Sequence, residues 1–194
     1  TLTRNDMDSI NSATARANIT KLDLALMLDV SGSMGGQKLA DLKIAAKDAA
    51  ATLITPDSGD RVRISFVSYA GAVNAGEYGN PALGRASSDD SDGDGLDKVC
   101  VSERTGTAAW KDDKPEIGKW VGDDAVFCPD SSLLPLTYNL TKFNTEIDSL
   151  SAGGLTAGHL GVAWSWYLIA PDWDNLWPSA SKPLSYTEPD TVKA

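Results

Sequence analysis

The stretch "ALMLDVSGSMGG" (25–36) places one carboxylate, Asp29, and two hydroxyls, Ser31 and Ser33, at alternate positions between an apolar run and a pair of glycines. Carboxylate and hydroxyl oxygens are hard ligands, suited to Mg2+, Mn2+ or Ca2+. On a tight turn this spacing can aim three side chains at one point, and glycine lets the backbone approach closely. The same residues could instead satisfy the amides of a local turn. A second set of hard donors is the acidic tract "DDSDGDGLDKV" (89–99). Asp90, Asp92 and Asp94 fall at positions 1, 3 and 5 of an EF-hand-type calcium loop, Gly95 at 6, and Leu96 offers its carbonyl at 7. Val101 stands where a bidentate Glu would close that loop, so Asp97 or Glu103 would have to substitute. The tract reads either as a calcium site or as a solvated acidic loop.

Other reactive residues are few. His159 is the only histidine, and there is no C-x-x-C pair, which leaves too little for a zinc site. Cys100 and Cys128 are either two free thiols or, as their loop-like surroundings favour, a disulfide closing a long loop. The disulfide would stabilise by about 3 kcal/mol and implies an oxidising compartment. A nucleophile at Asp29 or Ser31 would need a base, and the G-x-S-x-G elbow is not matched because position 29 is Asp. His159 reads as a packing or capping residue sooner than a ligand. Trp164, Trp166, Tyr167, Trp173 and Trp177 could form a sugar platform, but 164, 167 and 168 share a helix face, which favours core packing.

The elements that must position these residues follow from apolar periodicity. "KLDLALMLDV" (21–30) is a nearly continuous apolar run that reads as a buried central strand, with Asp23 the exception. Leu39, Leu42, Ala46, Ala49 and Leu53 recur at helical spacing, predicting a helix over 37–54. "RVRISFVSY" (61–69) alternates as a half-buried strand would. Strand, helix and strand in that order predict a parallel sheet, whose ligands gather at the carboxyl ends of the strands, where Asp29 lies. Further helices are predicted from Leu140 to Leu150 and from Thr156 to Ala170. Residues 71–135 read as a long insertion with short strands of its own, and residues 1–18 as a linker or the tail of an upstream segment.

The 194 residues suit one domain, taken as 19–194. A formal charge of −10 argues against nucleic acid or an anionic membrane as the main partner and suits contact with divalent cations. The longest apolar run, "VAWSWYLIA" (162–170), is too short to span a bilayer. With neither a signal peptide nor a starting Met, the chain reads as a processed or excised piece.

"LMLDVSGSM", closing an apolar strand and opening a helix, closely resembles the first segment of the metal-ion-dependent adhesion site of von Willebrand factor A domains. The second segment of that site is a threonine in a glycine-bearing loop before another helix, and "GGLTAGHLGVAW" puts Thr156 in this position. "CVSERTGTAAW … FCP", "LLPLT", "GGLTAGHLGVAWSWYLIAPDW" and "DTVKA" extend the resemblance, over most of 20–194, to the A-type domain of TadG-like proteins of the bacterial tight-adherence pilus machinery. The resemblance implies a Rossmann-like α/β fold with a central, mostly parallel sheet flanked by helices and a disulfide-closed insertion. It further implies a non-enzymatic adhesion or protein-binding domain of the bacterial envelope, periplasmic or at the cell surface, with a membrane anchor elsewhere in the full-length protein. Asp29, Ser31, Ser33 and Thr156 would hold Mg2+ or Ca2+ (Mn2+ also fits), and a Glu or Asp of a partner, such as a pilus or surface component, would complete the site. The family draws a further aspartate from a strand following the "DTVKA" region; that part of the fold is expected to lie outside this chain, leaving 21–30 as an edge. The alternative functions are a structural scaffold with a vestigial metal site and, more remotely, a hydrolase.

Overall fold

Alternation along two strands sorts the core into layers. The computed structural model describes residues 21–89, 98–123 and 126–194; the 1–18 segment and Asp90, Asp92, Asp94, Leu96 and Asp97 of the acidic tract lie outside them. Strand β1 (Lys21–Asp29) leads through helix α1 (Gln37–Leu53) to strand β2 (Val62–Tyr69), and a short helix α2 (Gly79–Ala82) follows in the insertion. The two strands pair in parallel from Leu22 against Val62 to Asp29 against Tyr69. Leu24, Leu26 and Leu28 share one face with Ile64 and Phe66, where Ala46 and Ala50 of α1 and Phe143 and Ile147 pack on them. The last two belong to α3 (Leu140–Ser149), whose Asn139 caps it by accepting from the Lys142 N–H at 2.9 Å. The opposite face carries Ala25, Val67 and Tyr69 under Leu160, Trp164, Tyr167 and Leu168 of α4 (Gly158–Ile169), with Trp173 and Trp177 behind them. Contact there is close: a Cβ on Gly161 would sit 2.5 Å from Tyr69 Cδ1 and 2.7 Å from Met27 Cγ. The tryptophan cluster is therefore mostly core, as its helical spacing implied, although Trp166 is partly exposed.

Layers on both faces correct the expectation that 61–69 is half-buried, since β2 is buried from Arg63 to Tyr69. Its polar residues have partners. Ser65 donates to the Leu24 carbonyl at 3.1 Å, and Arg63 donates to Asp23 Oδ1 from Nε at 3.0 Å and from a terminal nitrogen at 2.6 Å. Asp23, fully buried, also accepts on Oδ2 from the Leu184 N–H at 2.8 Å and from Lys193 Nζ at 3.1 Å. Its place in an apolar strand is explained by these donors. Burial pulls the Lys193 ammonium below its ordinary range, and the Asp23 carboxylate opposes that pull.

The sheet is mixed. Strands β3 (Val73–Asn74), β4 (Cys100–Val101) and β5 (Leu134–Thr137) come from the insertion and its far boundary; β3 and β5 run antiparallel to β2, and β4 antiparallel to β3. The long β1–β2 ladder and the β1–β6 pairing are parallel and the short pairings of β3, β4 and β5 antiparallel, so the chain builds an open mixed α/β sheet. The strand order is β4-β3-β2-β1-β6, where β6 (Thr191–Lys193) runs parallel to Lys21–Asp23 and the Ala25 N–H donates to the Ala194 carbonyl at 2.8 Å. The first part of β1 is thus covered on the side where an open edge was expected.

A disulfide, Cys100–Cys128, ties β4 to the loop before β5. Between these cysteines Arg104 is fully buried, its guanidinium 5.7 Å from the Trp173 ring and its Nη1 donating to the carbonyls of Lys111 (3.2 Å) and Asp113 (2.8 Å). Among the described residues Nε and Nη2 of Arg104 find no acceptor. Among them, too, no helix is long and apolar enough to cross a membrane.

Candidate metal centre

Strands β1 and β2 end side by side, with the Val30 N–H donating to the Tyr69 carbonyl at 3.0 Å. Beyond this point the chain turns at once. Asp29 Oδ1 accepts from the Ser31 N–H at 2.8 Å, and a single 3-10 turn over Gly32–Met34 brings Ser33 back, so that the Ser31 and Ser33 hydroxyls lie 3.3 Å apart. Ser31 is only 1% exposed, and among the described residues its hydroxyl has no other side-chain partner. Lys38, in the first turn of α1, donates to the Ser33 carbonyl at 3.3 Å.

Two backbone hydrogen bonds fasten a distant loop to this turn. The Gly153 N–H donates to the Val30 carbonyl at 2.8 Å, and the Gly32 N–H to the Gly154 carbonyl at 3.0 Å. Glycine suits both positions: a Cβ on Gly32 would stand a tight 3.2 Å from that carbonyl oxygen, and Gly154 has a φ of +74°, which side-chain-bearing residues rarely adopt. Three residues later the Ala157 N–H donates to the Ala70 carbonyl, just past β2, at 2.7 Å. Thr156 is therefore held in a short span anchored to the end of β1 on one side and the end of β2 on the other. The structure brings the segments bearing Asp29, Ser31, Ser33 and Thr156 together at the carboxyl ends of the parallel pair.

The donor set fits a hard divalent cation. The two hydroxyls are within hydrogen-bonding distance of each other, and the same 3.3 Å spacing would suit neighbouring ligands of an ion about 2.3 Å from each at a right angle, the short end of the Ca2+ range; Mg2+ would draw them to about 2.9 Å. One carboxylate and three hydroxyls leave such an ion with a net positive charge. Among the described residues no three His, Cys, Asp or Glu side chains gather. Tyr69, opposite Asp29 in the register, has its phenol pushed up by burial and then by the Asp29 charge.

Other candidates fall elsewhere. His159, in the first turn of α4, is exposed, with Nε2 3.5 Å from Glu103. Of the acidic tract only the flanks are described: Asp89 accepts through its carbonyl from Asn80, and Lys98 pairs with Asp130 at 2.9 Å, which holds the Asp130 carboxyl below its usual range. The loop at Val126–Cys128 was missed. Phe127 has a φ of +58° and packs its Cβ against Gly154, and the Val126 carbonyl lies against Gly71. The one signal in the sequence was the neighbouring cysteine.

No family model, curated protein or solved structure matches the chain.

Proposed function

We propose that this chain is a von Willebrand factor A-type domain of the TadG-like kind, a non-enzymatic module that binds a protein partner through a divalent cation. The observation that carries the reading is the pair of backbone hydrogen bonds joining the Asp29–Ser33 turn to the Gly153–Thr156 loop at the ends of β1 and β2. Asp29 anchors the ion, directly or through water. Ser31, Ser33 and Thr156 add neutral oxygens that do not quench its charge. The bound ion supplies an electrophilic position that takes a carboxylate from outside, so the partner presents a Glu or Asp. A hydrolytic reading would need a base beside Ser31, whereas His159 faces Glu103. The disulfide favours the periplasm or the cell surface, in line with an envelope protein anchored by another segment.

Calorimetric titration with Mn2+, Mg2+ and Ca2+ tests this. One ion is expected to bind and raise the melting temperature, with Asp29→Ala folded but unable to bind and Thr156→Ala weakened. Equal Mn2+ binding by wild type and Asp29→Ala refutes the proposal.

A further inference from the structure

The span that carries Thr156 touches the Asp29–Ser33 turn at its start and the end of β2 at its finish, and a third segment is wedged against it. A Cβ on Gly154 would sit 2.5 Å from Phe127 Cβ, and one on Gly71 3.4 Å from the same atom, so Phe127 occupies the room that both glycines leave open. The Val126 carbonyl also presses on Gly71. Gly71 follows Ala70, whose carbonyl receives the Ala157 N–H. Phe127 therefore stands between the two segments whose separation fixes where Thr156 lies. It does so with a φ of +58°, a left-handed backbone that a bulky residue keeps only where its surroundings impose it. Its neighbour Cys128 is bonded to Cys100 in β4, and β4 is joined to β2 through β3. Two residues further on, the Asp130 carbonyl accepts from Asn74 of β3 at 3.2 Å. The wedge is thus fastened to the sheet beside the parallel pair.

We infer that Phe127 is a positioning residue for the cation site: braced by the Cys100–Cys128 disulfide, it holds the Gly154–Ala157 span against the ends of β1 and β2 and so sets Thr156 at its distance from Asp29. This rests on the metal-dependent reading above. Asp29, Ser31 and Ser33 share one tight turn, closed by the hydrogen bond from the Ser31 N–H to the Asp29 carboxylate, and keep their spacing without help. Thr156 comes from a different segment, so its place depends on how the two segments are held together. Outer groups that orient a ligand without touching the ion commonly carry about ten- to a hundredfold of a site's affinity. The disulfide accordingly tunes the site through Phe127 as well as stabilising the fold.

Mn2+ titration of the wild type, of Phe127→Gly and of the Cys100→Ser, Cys128→Ser double variant, each repeated with Thr156→Ala, provides the test. Phe127→Gly keeps the disulfide and relieves the left-handed backbone, so it stays folded even where the double variant does not; the fluorescence of buried Trp164 and Trp173 checks this. Both variants are expected to bind Mn2+ about tenfold more weakly than the wild type. The loss should vanish in the Thr156→Ala background, because a residue that acts through Thr156 then has nothing to position. A disulfide that only stabilised the fold would leave the affinity of the folded chain unchanged. Without metal, the Gly153 and Ala157 amides of Phe127→Gly should exchange with solvent about tenfold faster, while those of the β1–β2 ladder keep their rates. Wild-type affinity in folded Phe127→Gly, an equal loss with and without Thr156→Ala, or unchanged exchange at the two amides each overturn the inference and leave the metal site standing. Failure of the wild type to bind Mn2+ overturns both.

Discussion

Replacing Asp23 by Ala strips the acceptor from three donors at once. Arg63 loses two hydrogen bonds, of 3.0 and 2.6 Å, Lys193 loses one of 3.1 Å, and the Leu184 amide loses one of 2.8 Å. Both cations are themselves largely buried, with side-chain exposures of 10% and 11%, so water cannot replace the carboxylate. Removing one partner from a buried ion pair costs about 3–5 kcal/mol. For a domain of this size each kcal/mol lowers the melting temperature by about 2–4 °C, which gives a fall of roughly 6–20 °C. Urea unfolding followed by the fluorescence of buried Trp164 and Trp173 measures the free-energy loss, and thermal unfolding with the same probe the fall in melting temperature. A triple variant, Asp23→Leu, Arg63→Met and Lys193→Met, is expected to recover most of the loss, because apolar residues of similar volume need no counter-charge. Asp23 sits six positions from Asp29, about 20 Å along an extended strand, so folded Asp23→Ala should bind Mn2+ as wild type does. A loss below about 1 kcal/mol, or a triple variant no more stable than the single, refutes the electrostatic reasoning.

Removing the disulfide with Cys100→Ser and Cys128→Ser frees a loop whose ends are 28 residues apart and should cost about 3.5 kcal/mol in the chain-entropy picture, read as a shift of the urea midpoint. Gly161→Ala drives a methyl group into Tyr69 and Met27 and should destabilise by about 1–3 kcal/mol; a neutral result in the same assay contradicts the close helix–sheet contact. Tyr186 is pushed from 10.0 up to about 12 by burial and its hydrogen bond to Asp112. Its neutral form is favoured in the fold, so its contribution to stability is complete below pH 10 and is lost as the pH rises towards about 12. Phenolate absorbance should show Tyr186 titrating late and Asp112→Asn titrating earlier; an unshifted Tyr186 refutes the contact.

Elements with a strong apolar period were legible. The helix predicted over 37–54 is Gln37–Leu53, the one read from Leu140 to Leu150 is Leu140–Ser149, and β1 ends at Asp29 within one residue of its predicted bound. Coverage of the strands was not, because whether Arg63 and Ser65 meet water depends on what the distant 140–170 helices do. Asp23 stood out as a misfit, but its donors Arg63, Leu184 and Lys193 lie too far along the chain for any local pattern to show. At the site, Asp29, Ser31 and Ser33 declared themselves by spacing, while Thr156 came only through a family resemblance. The loop at Phe127 could not be read, since the disulfide and the Asn74, Ser68 and Lys98 contacts that fold it back over Gly154 all join residues far apart in the chain.

Arg104 bears on how the insertion leaves the fold. A guanidinium has only donors to satisfy, so a partial retreat from the aromatic layer would leave it buried with fewer acceptors. With Gly118 pressed against one side and Trp173 against another, it has two tolerable addresses, its present slot or open water. Arg104 thus ties the insertion to the tryptophan layer at one buried cation, and loosening either one would strip it of the Lys111 and Asp113 carbonyls or of the Trp173 face.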